Sequence, residues 1–96
     1  MTPEFKAQWI AALRSGKYEQ GKGRLREGDK FCCLGVACDL TDPDAWNDKG
    51  GWGAQDNYDI VLPFIDIREG DWLAALNDGG VSFSEIADYI EASTDI

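Results

Sequence analysis

The sequence contains no histidine. Histidine is the commonest general base and metal ligand in proteins, so its absence removes Ser-His and Cys-His catalysis and histidine-containing metal sites. Basic residues are also scarce, because 9 Lys and Arg stand against 18 Asp and Glu, for a formal net charge of −9. This balance argues against direct nucleic-acid binding through phosphate contacts.

Long apolar runs are missing as well. No stretch approaches the roughly 18–20 apolar residues of a membrane-spanning helix, and no charged-then-apolar leader opens the chain. We therefore expect a soluble, cytoplasmic protein without a membrane partner. Its 96 residues fit a single domain over 1–96. A hydrophobic content of 44%, with four Trp, three Tyr and four Phe, is enough for one modest core.

The three cysteines do not indicate a disulfide framework or a metal site. Their number is odd, and Cys32 and Cys33 are adjacent, with Cys38 following. This spacing does not match the paired cysteines of zinc sites. We expect reduced, partly buried thiols that pack as small hydrophobic side chains, and no metal or cofactor.

Helix-start and helix-stop residues define the N-terminal segment. Thr2 is a typical N-cap, Pro3 suits the first helical position, and Gly16 suits a left-handed stop. Apolar residues recur between them at helical spacing. The sequence therefore predicts a helix over about residues 3–15.

The glycine-rich segment that follows predicts a β-hairpin and then a short helix. Residues 24–26 and 30–32 read as strands around a three-residue loop at 27–29. Residues 33–40 have apolar side chains at helical spacing, although a buried strand fits such a short run too. Gly35 lies off the apolar stripe, where it would allow another backbone to approach closely.

The C-terminal third predicts two helices in a hairpin. A helix around residues 72–76 stops at residues 77–80 (NDGG), and Ser82 with Glu85 forms a capping box that begins a helix to about residue 92. Between the two halves, Trp46 and Trp52 flank a second, longer-looped hairpin, and residues 60–62 are a strand candidate. The predicted class is α+β: a small antiparallel sheet with an N-terminal helix, a short central helix and a C-terminal αα-hairpin.

The distribution of charge is the sharpest functional signal. Residues 1–30 carry seven basic and four acidic side chains (+3), and residues 31–96 carry two basic and fourteen acidic (−12). Five cations and three glycines fall within residues 17–30. Glycine amides and cationic side chains together can cradle an anion. The predicted ligand site consists of Tyr18, Gln20, Gly21, Lys22, Gly23, Arg24, Arg26, Trp46 and Trp52.

In this site Lys22, Arg24 and Arg26 would hold phosphate, and Tyr18 or a tryptophan would stack a base. The same cations could instead form a solvated hairpin face or pair with the acidic half of the chain. The aromatic residues could equally cover the edge of a small core.

Other constellations are weaker. Residues 42–44 (DPD) begin like a calcium loop, but Trp46, Asn47 and Gly53 occupy positions where an EF-hand requires other residues. Residues 76–90 resemble the first two helices of a helix-turn-helix, without a cationic recognition helix after them. No two carboxylates stand out as an acid–base pair, so we assign no catalytic residue.

The chain resembles a widespread family of small bacteriophage and prophage proteins. The resemblance rests on two blocks: residues 13–26 (LRSGKYEQGKGRLR) with 31–40 (FCCLGVACDL), and residues 73–91. The middle departs from those relatives: the resemblance implies a helix that starts with Leu-Pro near Pro63, where this chain continues with residues 64–67 (FIDI). The resemblance implies a phage accessory protein acting in the host cytoplasm.

Three functions are compatible with the sequence. The first is a non-enzymatic protein that binds and sequesters an anionic, nucleotide-like small molecule, such as a host defence signal. The second is an acidic inhibitor that mimics nucleic acid against a host protein, and the third is a carboxylate-dependent hydrolase of such a signal. A chain this short could share its pocket between the subunits of a homo-oligomer.

Overall fold

The structure is a computed structural model that describes residues 2–46 and 67–93. Over these residues the elements are α1 (Pro3–Arg14), β1 (Glu19–Gln20), β2 (Arg26–Glu27), β3 (Lys30–Phe31), α2 (Cys33–Thr41), α3 (Ile67–Asp78) and α4 (Phe83–Ala92). The α+β class is confirmed. Trp52, the second hairpin and the strand at 60–62 lie outside the described residues. No helix within the described ranges is long and apolar enough to cross a membrane.

Helix α1 forms as its end signals predict. The Thr2 Oγ1 atom accepts a hydrogen bond from the Phe5 amide at 3.1 Å, and Pro3 takes the first helical position. The helix ends before Gly16, whose φ of +76° is the left-handed conformation that glycine adopts at little cost. The inward face is fixed by Trp9, whose Nε1 donates to the Cys33 carbonyl oxygen at 2.9 Å. This bond ties α1 to α2.

The sheet has three strands in the order β1-β3-β2 and is mixed. Strands β2 and β3 form the expected antiparallel hairpin, but β1 pairs parallel to β3, with Gln20 opposite Phe31. The sequence does not indicate β1, since a strand of two residues is too short to show a pattern of alternation. The wholly antiparallel sheet is therefore corrected to a mixed one.

The hairpin loop is also one residue shorter than expected. Glu27 pairs with Lys30, so only Gly28 and Asp29 lie between the strands. Gly28 has a φ of +61°. Two-residue hairpin loops need a positive φ at the first position, and glycine provides it without strain.

Helix α2 is confirmed as a helix and lies in the centre of the fold. Every residue of 33–38 is buried, so the burial extends beyond one stripe. The Cys32 Sγ atom accepts from the Gly35 amide at 3.2 Å and caps the helix. A β-carbon on Gly35 would overlap the Leu25 carbonyl oxygen, which confirms the expected close approach of two backbones.

Helices α3 and α4 form the expected αα-hairpin. Ser82 Oγ accepts from the Glu85 amide at 3.2 Å, and Gly80 turns the chain with a φ of +94°. Helix α4 packs mainly against α1, and α3 packs against α2 and α4. One core results, formed by Trp9, Ile10, Leu13, Leu25, Phe31, Cys32, Cys33, Leu34, Val36, Ala37, Cys38, Leu73, Ala74, Phe83, Ile86, Ala87 and Ile90.

Candidate anion-binding site

The structure divides the predicted site residues between two places. Gln20, Gly21, Lys22 and Gly23 lie against the turn between α3 and α4, whereas Tyr18, Arg26 and Trp46 gather around one ring of β3. Trp52 lies outside the described residues. The two groups therefore have to be considered as separate candidates.

An acidic residue of the same chain already binds the glycine-rich loop. The Gly23 amide donates to Asp78 Oδ1 at 3.0 Å. Lys22 reaches the same turn, since a β-carbon built on Gly80 would lie 3.8 Å from its Nζ atom. A backbone amide and an ammonium thus lie near the end of α3, where a carboxylate takes the position expected for a bound phosphate. In this conformation the glycine-rich loop is therefore part of the packing contact with the end of α3.

Asn77 adds buried hydrogen bonds to the contact between the glycine-rich loop and α3. Its side chain is fully buried, and its Oδ1 accepts from Gln20 Nε2 at 2.9 Å and from the Cys33 amide at 3.2 Å. Its Nδ2 donates to the Gly21 carbonyl oxygen at 2.7 Å. A buried amide with its polar atoms satisfied stabilises a specific packing of its neighbours. Asn77 therefore fixes the glycine-rich loop to α2 and α3.

Gln20 also has a structural position. Its Nε2 donates to the Val81 carbonyl oxygen at 2.7 Å, and its Oε1 accepts from the Phe83 amide at 3.2 Å. The Phe83 amide is one of the N–H groups that the start of α4 leaves without a partner in the helix, and the Val81 carbonyl lies in the turn before that helix. Gln20, a predicted ligand-binding residue, thus contributes to the cap of α4.

The second group is built on Phe31. The Tyr18 and Trp46 rings contact the Phe31 ring edge-on, with centroids 5.1 and 5.7 Å away. The guanidinium carbon of Arg26 lies 5.0 Å from the Phe31 centroid and 5.5 Å from that of Trp46. Arg26 Nε donates to the Gly28 carbonyl oxygen at 2.8 Å. Two rings and a backbone acceptor therefore hold the guanidinium in place.

One carboxylate orients two of the aromatic side chains. Asp39 of α2 accepts from the Tyr18 hydroxyl at 2.7 Å and from Trp46 Nε1 at 3.0 Å. Partial burial and the hydrogen bond to Asp39 raise the pKa of Tyr18 to about 12. Tyr18 is thus a neutral donor at physiological pH. We name the set Tyr18, Arg26, Phe31, Asp39 and Trp46 the Arg26 cluster.

Two other cations of the N-terminal half form ion pairs away from the Arg26 cluster. Lys30 lies 3.9 Å from a Glu19 carboxylate oxygen, and Arg14 binds Asp88 at 2.6 Å and Glu91 at 3.1 Å. The hydrogen bond from Arg14 lowers the pKa of Glu91, and these bonds raise the pKa of Arg14. Part of the N-terminal positive charge is therefore paired with the acidic half of the chain, as the sequence allowed.

The cysteines contribute to the core. All three are reduced thiols, and they are more deeply buried than expected. Burial raises the pKa of Cys33, and it raises the pKa of Cys38 to about 12. Within the described ranges, no group of three or more Cys, Asp or Glu side chains could hold a metal ion.

The sequence analysis does not identify four contributors: Phe31, Asp39, Asn77 and Asp78. Asp39 is a single acidic residue in an otherwise apolar helix, and that contrast is the signal that could have drawn attention to it. Asn77 and Asp78 lie in the predicted helix stop, which accounts for both residues without a role in the site. Phe31 gave no separate signal, since its apolar character suits a strand.

Comparison with known proteins gives a family. Residues 1–62 match the family described as a domain of unknown function, DUF8296. Comparison with curated proteins and with solved structures gives no match. Because the match covers more than half of the 96 residues, the chain belongs to this family. The matched part includes the glycine-rich loop and the Arg26 cluster.

Proposed function

We propose that the chain is a non-enzymatic binding protein that holds an anionic, nucleotide-like small molecule at the Arg26 cluster. The single observation that supports this proposal best is the fixed guanidinium of Arg26, stacked on Phe31 and Trp46 and bonded through Nε to the Gly28 carbonyl oxygen. The bacteriophage setting belongs to the same proposal. In it, the protein sequesters a host defence signal in the host cytoplasm.

The chemistry of Arg26 suits an anion with two oxygens. Its Nε is committed to Gly28, while its two Nη groups donate no hydrogen bond to the residues that the structure describes. A guanidinium binds phosphate or carboxylate through two parallel N–H···O bonds. Because the side chain is already held, less rotamer entropy is lost when a ligand binds.

The neighbouring residues suit the rest of such a ligand. Trp46 is only partly buried, and its Nε1 is held by Asp39, so its ring is fixed beside the guanidinium. Aromatic faces stack nucleobases with little dependence on sequence. Arg24, two residues before Arg26, is a further exposed cation of the same segment.

The glycine-rich loop takes a smaller part in this proposal than the sequence suggested. The Gly23 amide is engaged by Asp78, and Gln20 binds the start of α4. A ligand would have to displace a carboxylate to use that amide. The proposal therefore centres on Arg26 and leaves the loop its structural role.

The test is calorimetry of the purified chain against orthophosphate, ATP, cyclic AMP and ADP-ribose. We expect at least one nucleotide to bind, and Arg26→Ala to weaken it about tenfold or more. Arg26→Lys keeps the charge but removes the two-pronged geometry, so it should also weaken binding. Lys30→Ala, a cation of the same hairpin beside Glu19, is the matched control and should change affinity less than about threefold.

Two outcomes would contradict the proposal. Absence of binding to every anion would remove it, and so would equal losses in Arg26→Ala and Lys30→Ala. Recovery of the ligand after denaturation separates binding from catalysis, because a hydrolase would return products. An acidic inhibitor would bind none of these ligands and would instead bind a basic protein in a salt-dependent manner.

A further inference from the structure

Trp72 gives the outer surface of α3 an exposed aromatic side chain. Trp72 is 50% exposed. Among the residues that the structure describes, it is the large hydrophobic side chain that is exposed to solvent. Its ring centroid lies 6.3 Å from that of Tyr89 on α4, at an interplanar angle of 57°. The Tyr89 hydroxyl donates to Glu69 Oε2 at 3.3 Å. The indole therefore rests on a defined support formed by two helices.

The two helices that carry Trp72 are strongly acidic. Arg68 is the single basic residue of α3 and α4, and six acidic residues bring the net charge of the two helices to −5. The six acidic residues are Glu69, Asp71, Asp78, Glu85, Asp88 and Glu91. Three of the six have partners elsewhere in the fold, since Asp78 binds the Gly23 amide and Arg14 binds Asp88 and Glu91. Glu69 and Asp71, three residues and one residue before Trp72, add negative charge to the part of α3 that carries the indole, and Arg68, four residues before it, adds one positive charge.

We propose that Trp72, Tyr89, Glu69 and Asp71 form a docking surface for a cationic segment of a partner protein. We name this set the Trp72 surface. The argument for a cationic partner is charge complementarity between an aromatic face and its acidic surroundings. An Arg or Lys side chain can stack on an indole and pair with a nearby carboxylate at once. Tryptophan also contributes most to interfaces where it can be fully desolvated.

This inference does not depend on the Arg26 cluster, because the two sites use different elements. The Arg26 cluster is built on β2, β3 and α2, with Tyr18 just before β1 and Trp46 beyond α2, whereas the Trp72 surface is built on α3 and α4. Phosphate-rich partners are disfavoured at the Trp72 surface, since like charges repel. A second copy of the chain is the other candidate occupant, and the experiment separates it.

The test uses two synthetic peptides of equal length, one of alternating Arg and Leu and one of alternating Glu and Leu. The full chain carries 5-fluorotryptophan, so that ¹⁹F NMR reports on Trp72 separately from the other indoles. We expect the cationic peptide to shift the Trp72 resonance and the acidic one to leave it unchanged. Affinity should fall about tenfold in Trp72→Ala and less in Trp72→Phe, which keeps an aromatic face.

A charge-matched pair of variants tests the carboxylate. Glu69→Gln should weaken binding of the cationic peptide about threefold, whereas Glu4→Gln, the same change at an exposed position of α1, should not. Because both remove one negative charge, general attraction to an acidic protein would affect them equally. These two variants also keep the proposal testable if Trp72→Ala fails to fold.

Four results would overturn the proposal: no shift with the cationic peptide, equal binding of both peptides, unchanged affinity in Trp72→Ala, or equal effects of Glu69→Gln and Glu4→Gln. Sedimentation of the protein without peptide tests whether a second copy of the chain occupies the Trp72 surface. A concentration-dependent dimer that is lost in Trp72→Ala would assign the surface to a second copy of this chain. That result would replace the cationic partner.

Discussion

Gly35 of α2 lies against the backbone carbonyl of Leu25, so closely that a β-carbon at position 35 would overlap the oxygen and lie 2.8 Å from the carbonyl carbon. Leu25 is buried, and its carbonyl oxygen accepts from the Cys32 amide at 3.1 Å. Neither backbone can move away without breaking this bond or disturbing the start of α2. Helix α2 and the β2–β3 hairpin are thus packed backbone to backbone. This contact also places Arg26, the residue after Leu25, beside Phe31.

We predict that Gly35→Ala lowers the free energy of unfolding by about 3 kcal/mol, because the added methyl group collides with backbone rather than with a flexible side chain. Gly16→Ala is the control. Gly16 has open space around it and a positive φ, so that change should cost only about 1 kcal/mol. Urea denaturation measures both values. A smaller loss in Gly35→Ala than in Gly16→Ala would contradict the packing described above.

The buried amide network predicts non-additive losses. Asn77→Ala should lower the free energy of unfolding by about 3 kcal/mol and Gln20→Ala by about 2 kcal/mol, because each leaves buried polar groups without partners. The double variant should lose less than the sum, since the two side chains bind each other. Gln8→Ala, at an exposed position of α1, should change the free energy of unfolding by less than about 0.5 kcal/mol. Additive losses in the double variant would mean that the two amides act independently.

The ionisation of Tyr18 should lower the stability of the folded protein at alkaline pH. Its pKa is raised from the ordinary 10.0 to about 12, so the folded state holds the phenolic proton more tightly than the unfolded state does. This contribution to stability is complete below pH 10 and is lost as the pH rises from there to about 12. Denaturant unfolding at successive pH values would measure the decline.

Asp39→Asn isolates one cause of that shift. Removing the negative charge should bring the pKa of Tyr18 down, but not fully to 10.0, because burial is the largest cause. A ¹³C NMR titration of the tyrosine ring gives the value directly. An unchanged pKa would show that Asp39 does not accept from Tyr18 in solution.

The thiols are expected to be protected in the native protein. All three are buried, and burial raises the pKa of Cys33 and of Cys38, which suppresses the reactive thiolate. Reaction with Ellman's reagent near neutral pH should be at least about 100-fold slower than in concentrated guanidinium chloride, where all three thiols should titrate. Rapid native labelling of even one thiol would indicate that α2 opens readily.

Local structure was predictable wherever the determining residues are neighbours in the sequence. The caps Thr2 and Ser82 and the stop at Gly16 depend on groups within a few positions, and each forms the expected element. The position of Gly35 off the apolar stripe predicts a close approach of another backbone, and the structure confirms it. The sequence does not indicate that the approaching residue is Leu25.

The candidate site was predictable in composition but not in arrangement. Tyr18, Arg26 and Trp46 were chosen as cations and aromatics near glycine, and they do gather around Phe31. The glycine loop was chosen for its amides, and the structure gives its Gly23 amide to Asp78, 55 residues away. No spacing rule relates residues so distant, because their approach depends on how helices and strands pack.

The sequence by itself determined the α+β class, the ends of the helices around residues 2–16 and 77–92, the burial of α2 and the uneven distribution of charge. These follow from composition and from interactions across a few residues. The tertiary structure decided the parallel pairing of β1 with β3, the closure of the glycine loop by Asp78 and Asn77, and the stacking of Arg26 on Phe31 and Trp46. Each of these joins groups that only packing of the common core brings within bonding distance.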